Sequence, residues 1–287
     1  MTILLAVVGV LGVAASAPIQ AVIAAPPVTI ALWRNAAAAA VLGPMALARR
    51  RAELRALTAA DVRVCTLAGL MLAGHFWTWV TSLRMTSVAA STALVATSAA
   101  WVALIERVRT GSPVRREVPI GLIVSFAGVL VVSGVDITIS MRALVGDLLA
   151  LAGAIFGAVY TLCGARARVR LSTVTYTTLC YGVCAVALLV GAVFIVDGPI
   201  LDLPASAWLG IAAVTVCAQF FGHTVFNHLL ARLSAQVVAL ILLLEVPGAA
   251  LLAAAFIGQV PVLGVWIGLG LILAGLAVVV RGRSPTV

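Results

Sequence analysis

The chain has 287 residues, of which 64% are apolar and 9% charged, whereas soluble domains run at roughly 45–50% apolar and about 25% charged. A water-soluble fold is excluded, and ten spans of about 20 residues each would leave no length for a sizeable soluble domain. The net charge of +9 comes with no basic helix standing clear of an apolar segment, so it points to membrane topology and not to nucleic acid.

Apolar stretches bounded by Arg, Pro or Gly-rich breaks predict spans at 2–24, 28–48, 64–83, 87–105 and 118–135, then at 144–164, 172–196, 207–228, 234–257 and 262–280. Continuous apolar runs such as 148–154 and 237–244 lack the alternation of a transmembrane β-barrel. The expected fold is therefore all-α and integral to the membrane. In the first span Ala15-Ser16-Ala17 resembles a signal-peptidase site, but no basic segment precedes the apolar run, so it reads as an uncleaved helix.

Along the spans, the residues with chemistry are few. Arg34, near the outer end of the second span, is expected to snorkel or pair to fix its helix, with carboxylate recognition as the alternative. The third carries His75, Trp79 and Ser82 on one face, and the fourth carries Trp101. Gly153 and Gly157 in the sixth, like Gly264 and Gly268 in the tenth, permit close helix contact within the bundle or in a homodimer. Tyr160 lies deep in the sixth span. In the seventh, Cys180 and Cys184 share a face but have no further ligand at metal spacing, so neither metal nor cofactor is expected. Helical spacing puts Gln219, His223 and Phe226 or Asn227 of the eighth span on one face.

Glu245, in the ninth span, is read as the only acid near a span centre, with no basic residue at a comparable depth. Charged groups there cost about 2.5–3.5 kcal/mol on insertion scales and mark pathways. Pro247 and Gly248 beside it predict a kink or discontinuity. No phosphate-binding Gly-rich Lys-Ser/Thr loop occurs, so gradients and not ATP would supply energy.

Fifteen of the 18 basic residues, all Arg, fall on one side if both termini are cytoplasmic; Arg34, Arg84 and Arg142 fall on the other. Internal similarity recurs at a fixed offset. Gly121 and Gly128 recur 147 residues later as Gly268 and Gly275, and His75 and Arg84 recur 148 later as His223 and Arg232. Five helices per repeat is an odd number, which predicts an inverted second copy and a midplane site. The expected division is 1–140 and 141–287.

On these residues the sequence resembles the EamA-type exporters of the drug/metabolite transporter superfamily. Ala25-Pro26-Pro27-Val28-Thr29-Ile30-Ala31-Leu32-Trp33-Arg34 resembles that family's helix 2 entrance, and Leu244-Glu245-Val246-Pro247-Gly248 resembles its Glu/Pro helix 9. Val246 separates Glu from Pro, the helix ends in Gly258-Gln259 where the family often has Gly-Glu, and Thr97 stands at the first-repeat equivalent of Glu245. The resemblance implies a non-enzymatic exporter of small organic metabolites, amino-acid-like or drug-like, in the cell membrane. A flippase of the same fold is the alternative, and an integral membrane enzyme a more distant one. The expected substrate-binding residues are His75, Trp79, Trp101, Tyr160, Gln219, His223, Asn227 and Glu245, with proton coupling through Glu245. The expected partners are a small-molecule substrate and the bilayer, with no nucleic acid, in a monomer or homodimer.

Overall fold

A computed structural model describes residues 1–111, 140–195 and 198–281, and between 112 and 139 only positions 116, 117, 119–121, 123–125, 127, 128 and 131. Most of the predicted fifth span, at 118–135, and Asp197 lie outside the described residues.

The helices run α1 (Thr2–Ala14), α2 (Ser16–Val22), α3 (Pro27–Arg49), α4 (Arg51–Arg55), α5 (Ala59–Ser82), α6 (Val88–Ala96) and α7 (Ser98–Thr110). They continue as α8 (Met141–Ala167), α9 (Thr173–Phe194), α10 (Ala205–Val214), a π-helical segment Thr215–Thr224, α11 (Val225–Leu229), α12 (Ala235–Leu242), α13 (Glu245–Ile257) and α14 (Leu263–Arg281). There is no strand among the described residues. Seven helical rods are long and apolar enough to cross a bilayer, the α1–α2, α6–α7 and α10–α11 runs counting as one each; Glu245–Ile257 and Leu263–Gly275 are shorter apolar helices.

The helix starts follow from local chemistry. Pro27 opens α3, where its missing N–H is not needed. Thr58 and Asp61 form a capping box on α5. Ser87, Ser140 and Ser172 hydroxyls accept from the backbone N–H three residues on. Gly111 and Gly258 end α7 and α13 at φ 64° and 67°, a left-handed conformation that favours glycine.

Three predicted spans are interrupted. The first breaks at Ala15, between α1 and α2. The fourth breaks at Thr97, whose hydroxyl donates to Leu94 O over 2.6 Å. The ninth breaks just before Glu245. The expected discontinuity is present there, and Pro247 falls in the first turn of α13, where N–H groups lack intrahelical partners in any case. Thr97 and Glu245 stand 148 residues apart, so the two repeats break at equivalent points.

The bundle is inside-out by the standards of a soluble protein. Leu209, Phe194 and Phe256 are 72%, 79% and 78% exposed, whereas Arg34, Asn35, Gln20 and Gln219 are 0% exposed. Apolar side chains face lipid, and these four polar residues form one hydrogen-bonded group within.

Glycines set the closest helix contacts. A Cβ on Gly153 would stand 3.1 Å from Thr78 Oγ1, and one on Gly157 would stand 3.0 Å from His75 Nδ1. This small-residue pair therefore seats α8 on α5 within the chain. The glycines of the 147-residue offset pack reciprocally. A Cβ on Gly128 would lie 2.7 Å from Gly268 O, and one on Gly275 would lie 2.4 Å from Gly121 O. Between them Ser125 Oγ donates to the carbonyl of Ile272, its own equivalent, over 3.2 Å. Residue i meeting the equivalent of j while j meets the equivalent of i is the contact pattern of an isologous interface.

Candidate functional site

A cavity of about 70 Å³ opens among α1, α2, α5, α6, α7, α8, the π segment, α11, α12 and α13. His75, Trp79, Tyr160, His223, Asn227 and Glu245 line it, with Ser16, Ser98 and Thr161 as further polar groups. Apolar area comes from Val13, Val95, Phe226, Leu230, Val238 and Leu242.

His75 is held by its neighbours in a known tautomer. Its Nδ1 lies 2.9 Å from Gly153 O; a carbonyl can only accept, so Nδ1 carries the hydrogen, and in the neutral ring Nε2 is left as an acceptor. The bare backbone at Gly153 and Gly157 is what lets the imidazole lie this close to α8. The ring stacks on Trp79 at 5.6 Å between centroids and meets His223 edge-on at 6.4 Å. His223 also meets Phe76 at 5.2 Å and Tyr160 at 6.2 Å. Trp79 is 2% exposed, and its Nε1–H has no hydrogen-bond partner among the described residues.

Asn227 organises the opposite side. Its Nδ2 donates to Tyr160 Oη over 2.7 Å and to Tyr181 Oη over 3.3 Å. Thr224 Oγ1 donates to Gln219 O, so Tyr181 must donate to Thr224, 3.1 Å away. The Tyr160 hydroxyl, having accepted from Asn227, keeps its own hydrogen. Among the described residues, the donors Trp79 Nε1 and Tyr160 Oη, the acceptors His75 Nε2 and Asn227 Oδ1, and the ring nitrogens of His223 are thus left open by the protein's own bonding pattern. Glu245, partly buried at the start of α13, adds the one formally charged side chain in the lining.

Behind this wall lies a cation. Arg34 is 0% exposed, so it does not snorkel, and the expectation that no basic residue reaches the interior is corrected. Its Nε donates to Gln219 Oε1 over 2.9 Å, and Nη1 donates to Gln20 Oε1 over 3.1 Å and to Ser16 Oγ over 3.4 Å. Its guanidinium lies 4.3 Å from the centroid of Phe76, a cation–π contact. Gln219 Nε2 then donates to Asn35 Oδ1 over 3.0 Å. Pairing is how a buried guanidinium remains tolerable in low dielectric. Glu245 and Arg34 are close enough to interact electrostatically, although the hydrogen bonds of Arg34 go to Ser16, Gln20 and Gln219.

Six of the eight expected binding residues converge on the cavity; Gln219 and Trp101 do not. Gln219 is spent on Arg34 and Asn35. Gln219 and His223 both lie in the π-helical segment Thr215–Thr224, but the Gln219 amide is taken up by two residues of α3. Trp101 packs, partly buried, against both apolar clusters of the bundle. Sequence reasoning missed Ser16, Gln20 and Asn35, and also Asp147 of α8, an acid with 0% exposure. Polar residues inside apolar spans were the available signal.

The sequence pattern of the EamA-like transporter family matches residues 1–134 and 144–281. The chain belongs to this family. No curated protein matches it. A solved structure described only as a crystal structure of a protein is similar at 19% identity, covering 98% of each chain with a TM-score of 0.68. At that identity the likeness concerns the fold. The two EamA matches correspond to the halves whose equivalent residues, His75 with His223 and Trp79 with Asn227, meet at the cavity.

Proposed function

We propose that this protein is a secondary exporter of small organic metabolites, working by alternating access in the cytoplasmic membrane. It is built as two inverted five-helix repeats with both termini cytoplasmic. The observation that carries the reading is the convergence of repeat-equivalent side chains on one cavity. His75 and His223, and Trp79 and Asn227, come from the two halves and share that space with Glu245. A site on a pseudo-two-fold can be exposed to either side by rocking one half against the other. The reciprocal contacts of Gly121, Gly128, Gly268 and Gly275 support the inverted arrangement.

The cavity also fits a closed stage of such a cycle. About 70 Å³ is far below the roughly 300–1,000 Å³ of sites that enclose drug-sized ligands, so a solute of that size needs the helices to part. The breaks at Thr97 and Glu245 supply points at which two half-helices can move independently.

In this reading His75, Trp79, Tyr160, His223, Asn227 and Glu245 contact substrate. Aromatic faces supply apolar area, and the free donors and acceptors fix orientation. Glu245 couples transport to protons: alternating access changes its hydration, and its carboxyl takes up a proton on one side and releases it on the other. Uptake and efflux of a solute panel in proteoliposomes under an imposed pH gradient test the proposal. Gradient-driven movement of at least one small organic solute is expected. Failure across amino-acid-like and drug-like solutes, with lipid scrambling in its place, would favour a flippase.

A further inference from the structure

We infer that α4 and its flanking arginines form a binding site for the headgroup of an anionic phospholipid. The five-residue helix Arg51–Arg55 lies between the end of α3 and the start of α5. Arg50 just before it, Arg51 and Arg55 on it, and Arg63 one turn into α5 are all exposed. None of the four forms an ion pair among the described residues.

The nearby acids are engaged elsewhere by defined bonds. Glu53 Oε1 accepts the backbone N–H of Ser172, the N-cap of α9, at 2.5 Å, and its charge also acts on Arg168. Asp61 accepts from Thr58 N and Oγ1 at 3.0 and 2.6 Å and pairs with Arg170 at 3.5 Å. Glu53 thereby docks α4 against the start of α9 while leaving the arginines beside it without a counter-charge. The result is a run of exposed guanidinium groups without a counter-charge, each able to hold a phosphate through two parallel N–H donors.

The apolar surroundings select a lipid over a soluble anion or a nucleic acid. Leu47, two residues before Arg49, is 64% exposed, and Val62, next to Arg63, is 47% exposed. Apolar side chains on the membrane-facing flank and arginines at the rim match an acyl chain carrying a phosphate. Basic residues clustered directly beside a transmembrane helix attract anionic lipids at about 1 kcal/mol each. This inference does not depend on the transport reading.

The test uses the purified full chain in neutral detergent, titrated with phosphatidylglycerol or phosphatidylcholine, with bound lipids counted by native mass spectrometry. Wild type is expected to retain phosphatidylglycerol preferentially. The Arg50→Gln, Arg51→Gln, Arg55→Gln triple variant should lose about a hundredfold in that affinity, as three such charges imply, with an unchanged melting temperature. Arg142→Gln, at the start of α8, should bind as wild type does. Glu53→Ala separates a built site from diffuse charge: it makes the chain more basic but removes the bond that docks α4, so retention should fall. Equal retention of the two lipids, tighter binding by Glu53→Ala, or full displacement by millimolar inorganic phosphate would each overturn the proposal. If the triple variant unfolds, the Glu53→Ala result decides alone.

Discussion

Arg34 Nε and Gln219 Oε1 lie 2.9 Å apart, joining residues 185 positions apart in the sequence. The bond ties α3 to the π-helical segment and places a positive charge directly behind the cavity wall. Stability and the shape of the site therefore depend on one guanidinium.

Replacing Arg34 with Ala should leave Gln219 and Gln20 without their donor and cost about 1–3 kcal/mol, the scale for buried polar groups left unsatisfied. Arg34→Lys should recover only part, because one ammonium cannot reproduce the Nε and Nη1 geometry. Thermal unfolding of the purified protein in detergent measures both.

Trp79→Phe keeps a ring to stack on His75 but removes the unpartnered Nε1–H. Stability should change by less than about 1 kcal/mol, since no intramolecular bond is lost. If the donor serves substrate, KM should rise about tenfold, the value of one hydrogen bond. An unchanged KM would remove Trp79 from the recognition set and leave it a packing residue.

Glu245→Gln preserves side-chain shape and should fold, while acceleration of transport by a pH gradient is lost. Counterflow of labelled solute without a gradient should persist. Gradient-driven transport equal to wild type in sealed vesicles would make Glu245 a structural acid.

Gly275 and Gly182 make a matched pair for packing. A Cβ at Gly275 would lie 2.4 Å from Gly121 O and 2.5 Å from Ser125 N, backbone atoms that cannot yield cheaply, whereas one at Gly182 meets nothing within 4 Å. Gly275→Ala should destabilise by about 1–3 kcal/mol through overpacking. Gly182→Ala should stabilise α9 by up to about 1 kcal/mol through helix propensity. Equal melting temperatures for the two variants would contradict the glycine contact between the repeats.

Single cysteines test orientation. Thr110→Cys, at the end of α7, should be shielded from an impermeant thiol reagent added outside intact cells, and Ala205→Cys, at the start of α10, should react. The opposite pattern would invert the assigned topology.

Family membership and the candidate cavity were legible for different reasons. Span lengths, the arginine bias and the offsets linking His75 to His223 and Gly121 to Gly268 are one-dimensional properties that a single sequence retains in full. The same offset links His75 with His223 and Trp79 with Asn227 in the sequence itself, and repeat-equivalent residues near a two-fold axis must approach one another. The helical break at Glu245 was legible too, since Pro247 and Gly248 weaken the helix locally.

Composition thus determined by itself that this protein is a bundle of apolar helices with its polar residues inside, because hydrocarbon leaves no other way to satisfy the backbone. Tertiary structure alone decided where each interior polar group is spent. Gln219 reads as a cavity residue on a helical wheel, but its side chain bonds to Arg34 and Asn35 of α3, far away in the sequence. Arg34 in turn reads as a residue that snorkels or pairs near a span end, and only the fold shows that it pairs, with Gln20, Ser16 and Gln219 converging on it from distant parts of the chain. Helical periodicity assigns a face from local geometry; the partner waiting on that face is a long-range fact that no local pattern encodes.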